Sequence, residues 1–368
     1  MMKRSAALLL CLVALTGCGR MFVRTTTDVV NDLEKWTPEK LEEASRKSNV
    51  VYRVTYREGA RSAFWPDSLR TQAPDPAWVR VAGTGGRPAR LEAFPTKPCA
   101  AELSEKAVAA FRKGDAAGAL ALYGQAAECD PENHVVHAQI GRLKFLAGDL
   151  DGAEKALRRA LALNASSAEA HEALARTLAR KNDLPGARKE IVEAILLDGD
   201  GESTLRAAKE ILLASGEYMD DDRLFFPWEL SYGPDTVTIF VDSAKAGPNP
   251  VLPLCQAMWD RDPAFLTPRS DDNMVREVRG RFCFGLLGKE TDRLLREGRE
   301  PKPWAAEIRK TAEDGLLNAM IVWEGATGRF PGVIHLMDDA SRALMRVYVE
   351  TRVVRKIPES WLKEAPRE

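Results

Sequence analysis

The chain has 368 residues, 45% of them hydrophobic, and sets 53 lysines and arginines against 54 aspartates and glutamates for a net charge of −1. That length carries a prior of about two domains. So even a charge balance argues against nucleic acid as a partner and against strong attraction to anionic lipid.

Residues 1–4 are short and basic, residues 6–15 are apolar, and Leu15-Thr16-Gly17-Cys18 follows at once. A charged start with a ten-residue apolar core makes a secretory signal, too short for a spanning helix of about 20 residues. The Leu-Thr-Gly-Cys ending resembles a bacterial lipobox. The resemblance implies cleavage before Cys18, diacylglycerol on its sulfur and acylation of the new amine; a plain signal cut elsewhere is the alternative. Each buried methylene contributes about 0.8 kcal/mol, so one acyl chain binds marginally and two or three anchor firmly. Gly19 rather than Asp after the cysteine implies, by the same resemblance, the outer membrane of a Gram-negative cell. Loss of residues 1–17 removes Lys3 and Arg4, leaving 51 basic against 54 acidic residues. No later apolar run exceeds the eight residues of 316–323, so a second span is not expected.

Residues 18–98 read as a tether and a small mixed α/β segment. Thr37 and Pro38 open a predicted helix that runs to Lys47, with the threonine as cap and the proline in the first turn. Residues 50–57 alternate in strand fashion, and the Gly- and Pro-rich stretch 83–98 reads as a linker.

The stretches 100–133, 134–167 and 168–201 then fall into a gapless 34-residue register. Small residues recur at Ala107, Gly141 and Ala175, followed by the turn pairs Gly114-Asp115, Gly148-Asp149 and Asn182-Asp183. Ala119, Ala153 and Ala187 are each answered four residues later by Tyr123, Leu157 and Ile191, and Ala126, Ala160 and Ala194 close the units. Helices cross closely only over small side chains. Gly114, Gly148 and Asn182 suit the left-handed conformation that ends a helix, and Pro185 suits the opening of one. This pattern resembles the tetratricopeptide repeat, a stacked helical-hairpin array. It departs from the family at the early Trp place, held by Leu103, His137 and His171, and at the closing proline, present only as Pro131. The array with a capping helix is expected over 99–217, with residues 202–215 as the cap and Gly216 as its stop.

From residue 218 to 368 the pattern changes to a mostly helical region of no recognised family, holding Trp228, Trp259, Trp304, Trp323 and Trp361. One strand is expected at 236–241, with helices around 252–259, 272–287, 291–297, 304–323 and 339–354. The fold expected overall is mainly α, a short tetratricopeptide-type solenoid with a small mixed N-terminal segment and a mostly helical C-terminal region.

Of six cysteines, Cys11 leaves with the signal and Cys18 is the lipidation candidate. Cys99 and Cys129 lie at the same end of the first hairpin, which suits a bridge, and Cys255 and Cys283 remain as a second pair; buried free thiols are the alternative. No catalytic motif, metal site or cofactor site is expected. His134, His137 and His171 read as structural, and His335 has no nucleophile paired with it. Gly288-Lys289-Glu290 lacks the Ser/Thr and the earlier glycine of a phosphate loop. Asp220-Asp221-Asp222 and Asp271-Asp272 read as solvated turns.

In the tetratricopeptide family the first helix of each unit lines a concave groove. The matching positions here are Val108, Phe111 and Arg112, then Arg142, Phe145 and Leu146, then Glu172, Arg176 and Arg180, then Arg206. Apolar residues at one end give way to arginines, whose forks suit carboxylates. The expectation is a membrane-anchored lipoprotein that binds another envelope protein or an acidic peptide. The groove could instead pack against the chain's own C-terminal region. An envelope enzyme with its active site in 218–368, docked by the repeats, is the alternative class.

Overall fold

The computed structural model describes residues 35–63, 79–82, 90–198, 201–220, 225–246, 251–262, 272–324, 334 and 337–360. The signal segment, Cys18, His335 and Trp361 lie outside these residues. In chain order the elements are α1 (Pro38–Lys47), β1 (Val51–Tyr56), β2 (Ser62–Ala63), β3 (Val79–Ala82), β4 (Arg90–Ala93), α2 (Pro98–Arg112), α3 (Ala116–Cys129), α4 (His134–Leu146) and α5 (Leu150–Leu163). There follow α6 (Ala168–Arg180), α7 (Leu184–Leu197), α8 (Glu202–Ala214), β5 (Glu217–Met219), β6 (Phe225–Phe226), β7 (Trp228–Tyr232) and β8 (Thr236–Val241). The last are α9 (Ser243–Ala246), α10 (Val251–Arg261), α11 (Asp272–Arg296), α12 (Pro303–Glu313), α13 (Leu317–Val322), α14 (Asp339–Tyr348), a π-helical turn at Val349–Val353 and β9 (Val354–Lys356).

Six helices form three antiparallel hairpins, α2 with α3, α4 with α5 and α6 with α7, and α8 packs on α7. The periodic alanines at 107, 119, 126, 153, 160, 175, 187 and 194 are fully buried, as are Leu157 and Ile191. At the second crossing a Cβ on Gly141 would stand 2.5 Å from Leu157 Cγ, so only glycine fits. Gly114, Gly148 and Asn182 take φ values of +84°, +82° and +63°, ending each first helix in the left-handed region. The second helices are opened by a device that the sequence pattern left unread. Asp115, Asp149 and Asp183 each accept the backbone N–H three residues on, from Gly118, Gly152 and Gly186, at 2.7–3.0 Å. A Cβ at any of these glycines would strike the capping carboxylate, which explains the recurring Asp-x-x-Gly.

Contacts divide the chain into two units, neither continuous in sequence. The array belongs with residues 330–368, so the boundary drawn at 218 does not separate the tail from the repeats. β5 pairs antiparallel with β9, and α14 packs on α7. Glu217, only 4% exposed, receives Arg188 from α7 and Lys356 from β9. Arg346 of α14 forks onto both oxygens of Glu193. Residues 90–93 of the expected linker form a strand with β3 instead.

The other unit joins residues 1–70 and 221–329. Its sheet runs β1-β8-β7, with β1 parallel and β7 antiparallel to β8. Trp228 and Phe226 stack with centroids 4.7 Å apart, and Trp304 meets both edge-on. Trp228 Nε1 donates to Gln256 at 2.9 Å. A disulfide joins Cys255 of α10 to Cys283 of α11, both fully buried. The helices expected at 272–287 and 291–297 are one, α11, because Gly288 and its neighbours continue the turn. The single helix expected at 304–323 is broken at Gly315, whose φ is +74°.

Candidate functional site

The first helices α4, α6 and α8 lie side by side and line a cavity of about 570 Å³. Of the expected groove residues, Arg142, Phe145, Leu146, Glu172, Arg176 and Arg206 come together there; Val108, Phe111, Arg112 and Arg180 do not line it. The apolar contribution is open to solvent: Leu146 is 61% exposed, and on α2 Phe111 is 46% and Val108 39% exposed. Arg180 lies over the Phe145 ring, 5.2 Å from its centroid.

The arginines are not the open row that the sequence suggested. Arg142 meets Glu169 at 2.6 Å, and the same oxygen accepts from Gln139. Arg176 is held by Glu172 at 2.9 Å and by Glu210 at 3.2 Å, while Ser203 also donates to Glu172. Arg206 pairs with Glu202 at 2.8 Å. Glu169, Glu172 and Asp198 line the cavity beside its three arginines, so the wall carries both signs equally. The more exposed of these pairs, Arg142–Glu169 and Arg206–Glu202, contribute about 0–1 kcal/mol each, while Arg176–Glu172 is half-buried.

The histidines have structural positions. His137 and His171 occupy equivalent places, and each ring Nε2 meets the carbonyl six residues earlier, Pro131 at 2.9 Å and Ala165 at 3.1 Å. His171 Nδ1 also meets Glu190 at 2.7 Å. His134 is fully buried beneath the Phe94 ring, 4.5 Å between centroids, and burial lowers its pKa to about 4. Asn164 is oriented by the Ser166 N–H on its oxygen, so its amide donates to His134 Nε2 at 3.2 Å. Among the described residues no group of three His, Cys, Asp or Glu could hold a metal. Among them too, no helix is long and apolar enough to cross a membrane.

Gly288 and Lys289 are mid-helix in α11, and Lys289 Nζ donates to the Trp36 carbonyl at 2.7 Å, which removes any phosphate-loop geometry. Asp220 pairs with Arg355 at 3.2 Å rather than facing solvent alone, while Asp221, Asp222 and Asp271 lie outside the described residues. In the sheet unit two phenols sit on carboxylates. Tyr52 donates to Asp262 at 3.2 Å and Tyr232 to Asp260 at 2.5 Å. Burial and then the Asp262 charge push the Tyr52 phenol above its ordinary value, which locks the proton on the ring. Cys99 and Cys129 are joined, with Cα atoms 6.4 Å apart, at the open end of the first hairpin.

Residues 110–176 match the tetratricopeptide repeat family. No curated protein matches the chain. Among solved structures, the first TPR of Spaghetti (RPAP3), bound to an HSP90 peptide, is 22% identical, covering 33% of this chain and 98% of that one with a TM-score of 0.32. The Sgt2 TPR domain from Aspergillus fumigatus is 18% identical over 33% and 81% of the two chains, with a TM-score of 0.32. An O-GlcNAc transferase mutant of Thermobaculum terrenum is 25% identical over 33% of this chain and 24% of its own, with a TM-score of 0.30.

Proposed function

We propose that this chain is a membrane-tethered envelope lipoprotein whose tetratricopeptide array holds a peptide segment of another envelope protein in the groove of α4, α6 and α8. The observation that carries the reading is the cavity itself: an exposed Leu146 beside arginine–glutamate pairs that a partner's charges can displace. The segment that fits places an apolar side chain against Leu146 and Phe145 and a carboxylate on Arg142 or Arg176. Its acidic character is local, because Glu169, Glu172 and Asp198 would repel a uniformly acidic chain. The tether is supported by the resemblance of Leu15-Thr16-Gly17-Cys18 to a lipobox, and an outer-membrane position facing periplasm or surface by Gly19 after the cysteine, through the same resemblance.

Cross-linking in intact cells, followed by capture of the wild type and of Leu146→Asp, tests the groove. A partner that is cross-linked in the wild type and lost in the variant, at equal abundance and melting temperature, is the expected result. Equal capture by both would remove the groove from the reading. For the tether, label from a fatty-acid analogue should enter the wild type and be absent from Cys18→Ser; equal label on both would refute lipidation at Cys18.

A further inference from the structure

A second cavity, of about 500 Å³, lies between the second helices α5 and α7 and the tail helix α14. It shares no residue with the groove. Its walls carry four permanent cations, Arg158, Lys189, Arg342 and Arg346, against two carboxylates, Glu190 and Glu193. Both carboxylates are already engaged. Glu193 is forked by Arg346, and Glu190 meets His171 at 2.7 Å. Arg158 pairs through Nε with Glu154, which does not line the cavity and is shared with Lys181.

Two cations are left over. The Lys189 side chain makes no ion pair or hydrogen bond among the described residues, although the residue lines the cavity. Among the described residues the Arg342 guanidinium reaches only main-chain carbonyls, of Ile334 at 3.3 Å and Met337 at 3.5 Å, both through Nη2. Its Nε is buried and has no acceptor among the described residues. A carbonyl supplies a dipole where a guanidinium attracts a full negative charge, and a buried N–H without a partner is the exception that calls for one. Apolar surface completes the walls, from Leu161 on α5 and Leu197 on α7. The volume is that of an ordinary small-molecule site.

We propose that this cavity binds a small organic anion, with its carboxylate or phosphoryl group on Arg342 and Lys189 and its apolar part against Leu161 and Leu197. Because α14 supplies Arg342 and Arg346, such a ligand would also fasten the tail to the array.

Calorimetric titration of the full mature chain at 150 mM salt tests this, with benzoate and phenylphosphonate as probes, benzyl alcohol as the neutral counterpart and inorganic phosphate as the anion without an apolar part. Saturable binding of benzoate or phenylphosphonate is expected, whichever is tighter naming the head group. Benzyl alcohol should not bind, and inorganic phosphate should bind more weakly. Lys189→Gln, an exposed change that leaves the fold intact, should weaken the preferred anion at least tenfold, and Arg342→Gln should weaken it further. No binding of either organic anion, equal binding of benzyl alcohol, or unchanged affinity in Lys189→Gln would each overturn the proposal.

Discussion

The buried His134 should make the array acid-labile in a window where its carboxylates are still ionised. Its neutral form carries the proton on Nδ1, because Nε2 accepts from Asn164, and Nδ1 finds no acceptor among the described residues. Protonating Nε2 would set an N–H against the Asn164 amide and place a charge where nothing is exposed. The pKa is accordingly about 4 in the folded chain, against 6.5 for an ordinary histidine. The unfolded chain therefore takes up the proton first as pH falls. The stability this residue allows is fully present above pH 6.5 and is lost progressively down to pH 4. The linkage amounts to about 2 kcal/mol at pH 5 and about 3 kcal/mol below pH 4. For a unit of this size 2 kcal/mol corresponds to about 4–8 °C of melting temperature. The measurement is thermal unfolding at pH 7 and pH 5 for the wild type and for His134→Gln, a neutral residue that can still accept from Asn164. The variant should lose stability at pH 7 but lose about 2 kcal/mol less between the two pH values. An equal acid loss in both proteins would refute the reasoning, as would a His134 resonance that titrates near 6.5.

Gly141→Val should destabilise the array by about 1–3 kcal/mol or more, since its Cβ would overlap Leu157 and overpacking at a helix crossing has nowhere to relax. Denaturant unfolding with an unchanged midpoint would contradict the packing. The two disulfides should open in a fixed order under mild reductant, Cys99–Cys129 first, because Cys99 is exposed while Cys255 and Cys283 are fully buried. Opening its 30-residue loop should lower stability by about 3 kcal/mol in the chain-entropy picture. Differential alkylation with mass spectrometry reads the order, and earlier labelling of Cys255 or Cys283 would refute it.

The array was legible because each of its demands is local and repeated: a small residue at the crossing, a left-handed residue at the hairpin, an apolar residue four places after an alanine. The Asp-x-x-Gly cap was equally periodic, and its signal lay in the sequence unread at Asp115, Asp149 and Asp183. The sheet unit was not legible in the same way. Val51 pairs with Thr236 and Tyr56 with Val241, so a strand before the array and one after it are neighbours in parallel register. Nothing in either segment encodes that partner, since alternation marks a strand and not its neighbour. The charge balance of the groove was legible only in part, for a related reason: Glu172 and Glu202 stand four residues before Arg176 and Arg206 on the same helices, whereas Glu169 and Glu210 reach Arg142 and Arg176 from the next first helix, 27 and 34 residues away.

Where the tail's charges go separates the two sequence-based readings of the groove. Arg346 engages Glu193 on α7, Lys356 engages Glu217 on β5, and Arg355 engages Asp220. Each of these partners lies on a second helix or beyond the last repeat. Among the described residues the ion-pair partners of Arg142, Arg176 and Arg206 all come from α6 and α8. Among the described residues, then, the tail holds to the second helices while the first helices compensate their own charges. Glu217 is nearly fully buried between two cations; burial raises its pKa, but Arg188 and Lys356 outweigh it and hold the carboxyl below its usual range. Removing either cation would leave a buried charge poorly matched, the costly case. Of the groove pairs, Arg142–Glu169 and Arg206–Glu202 are the more solvated and the cheaper to exchange, whereas Glu172 beneath Arg176 is half-buried, as Glu193 is beneath Arg346.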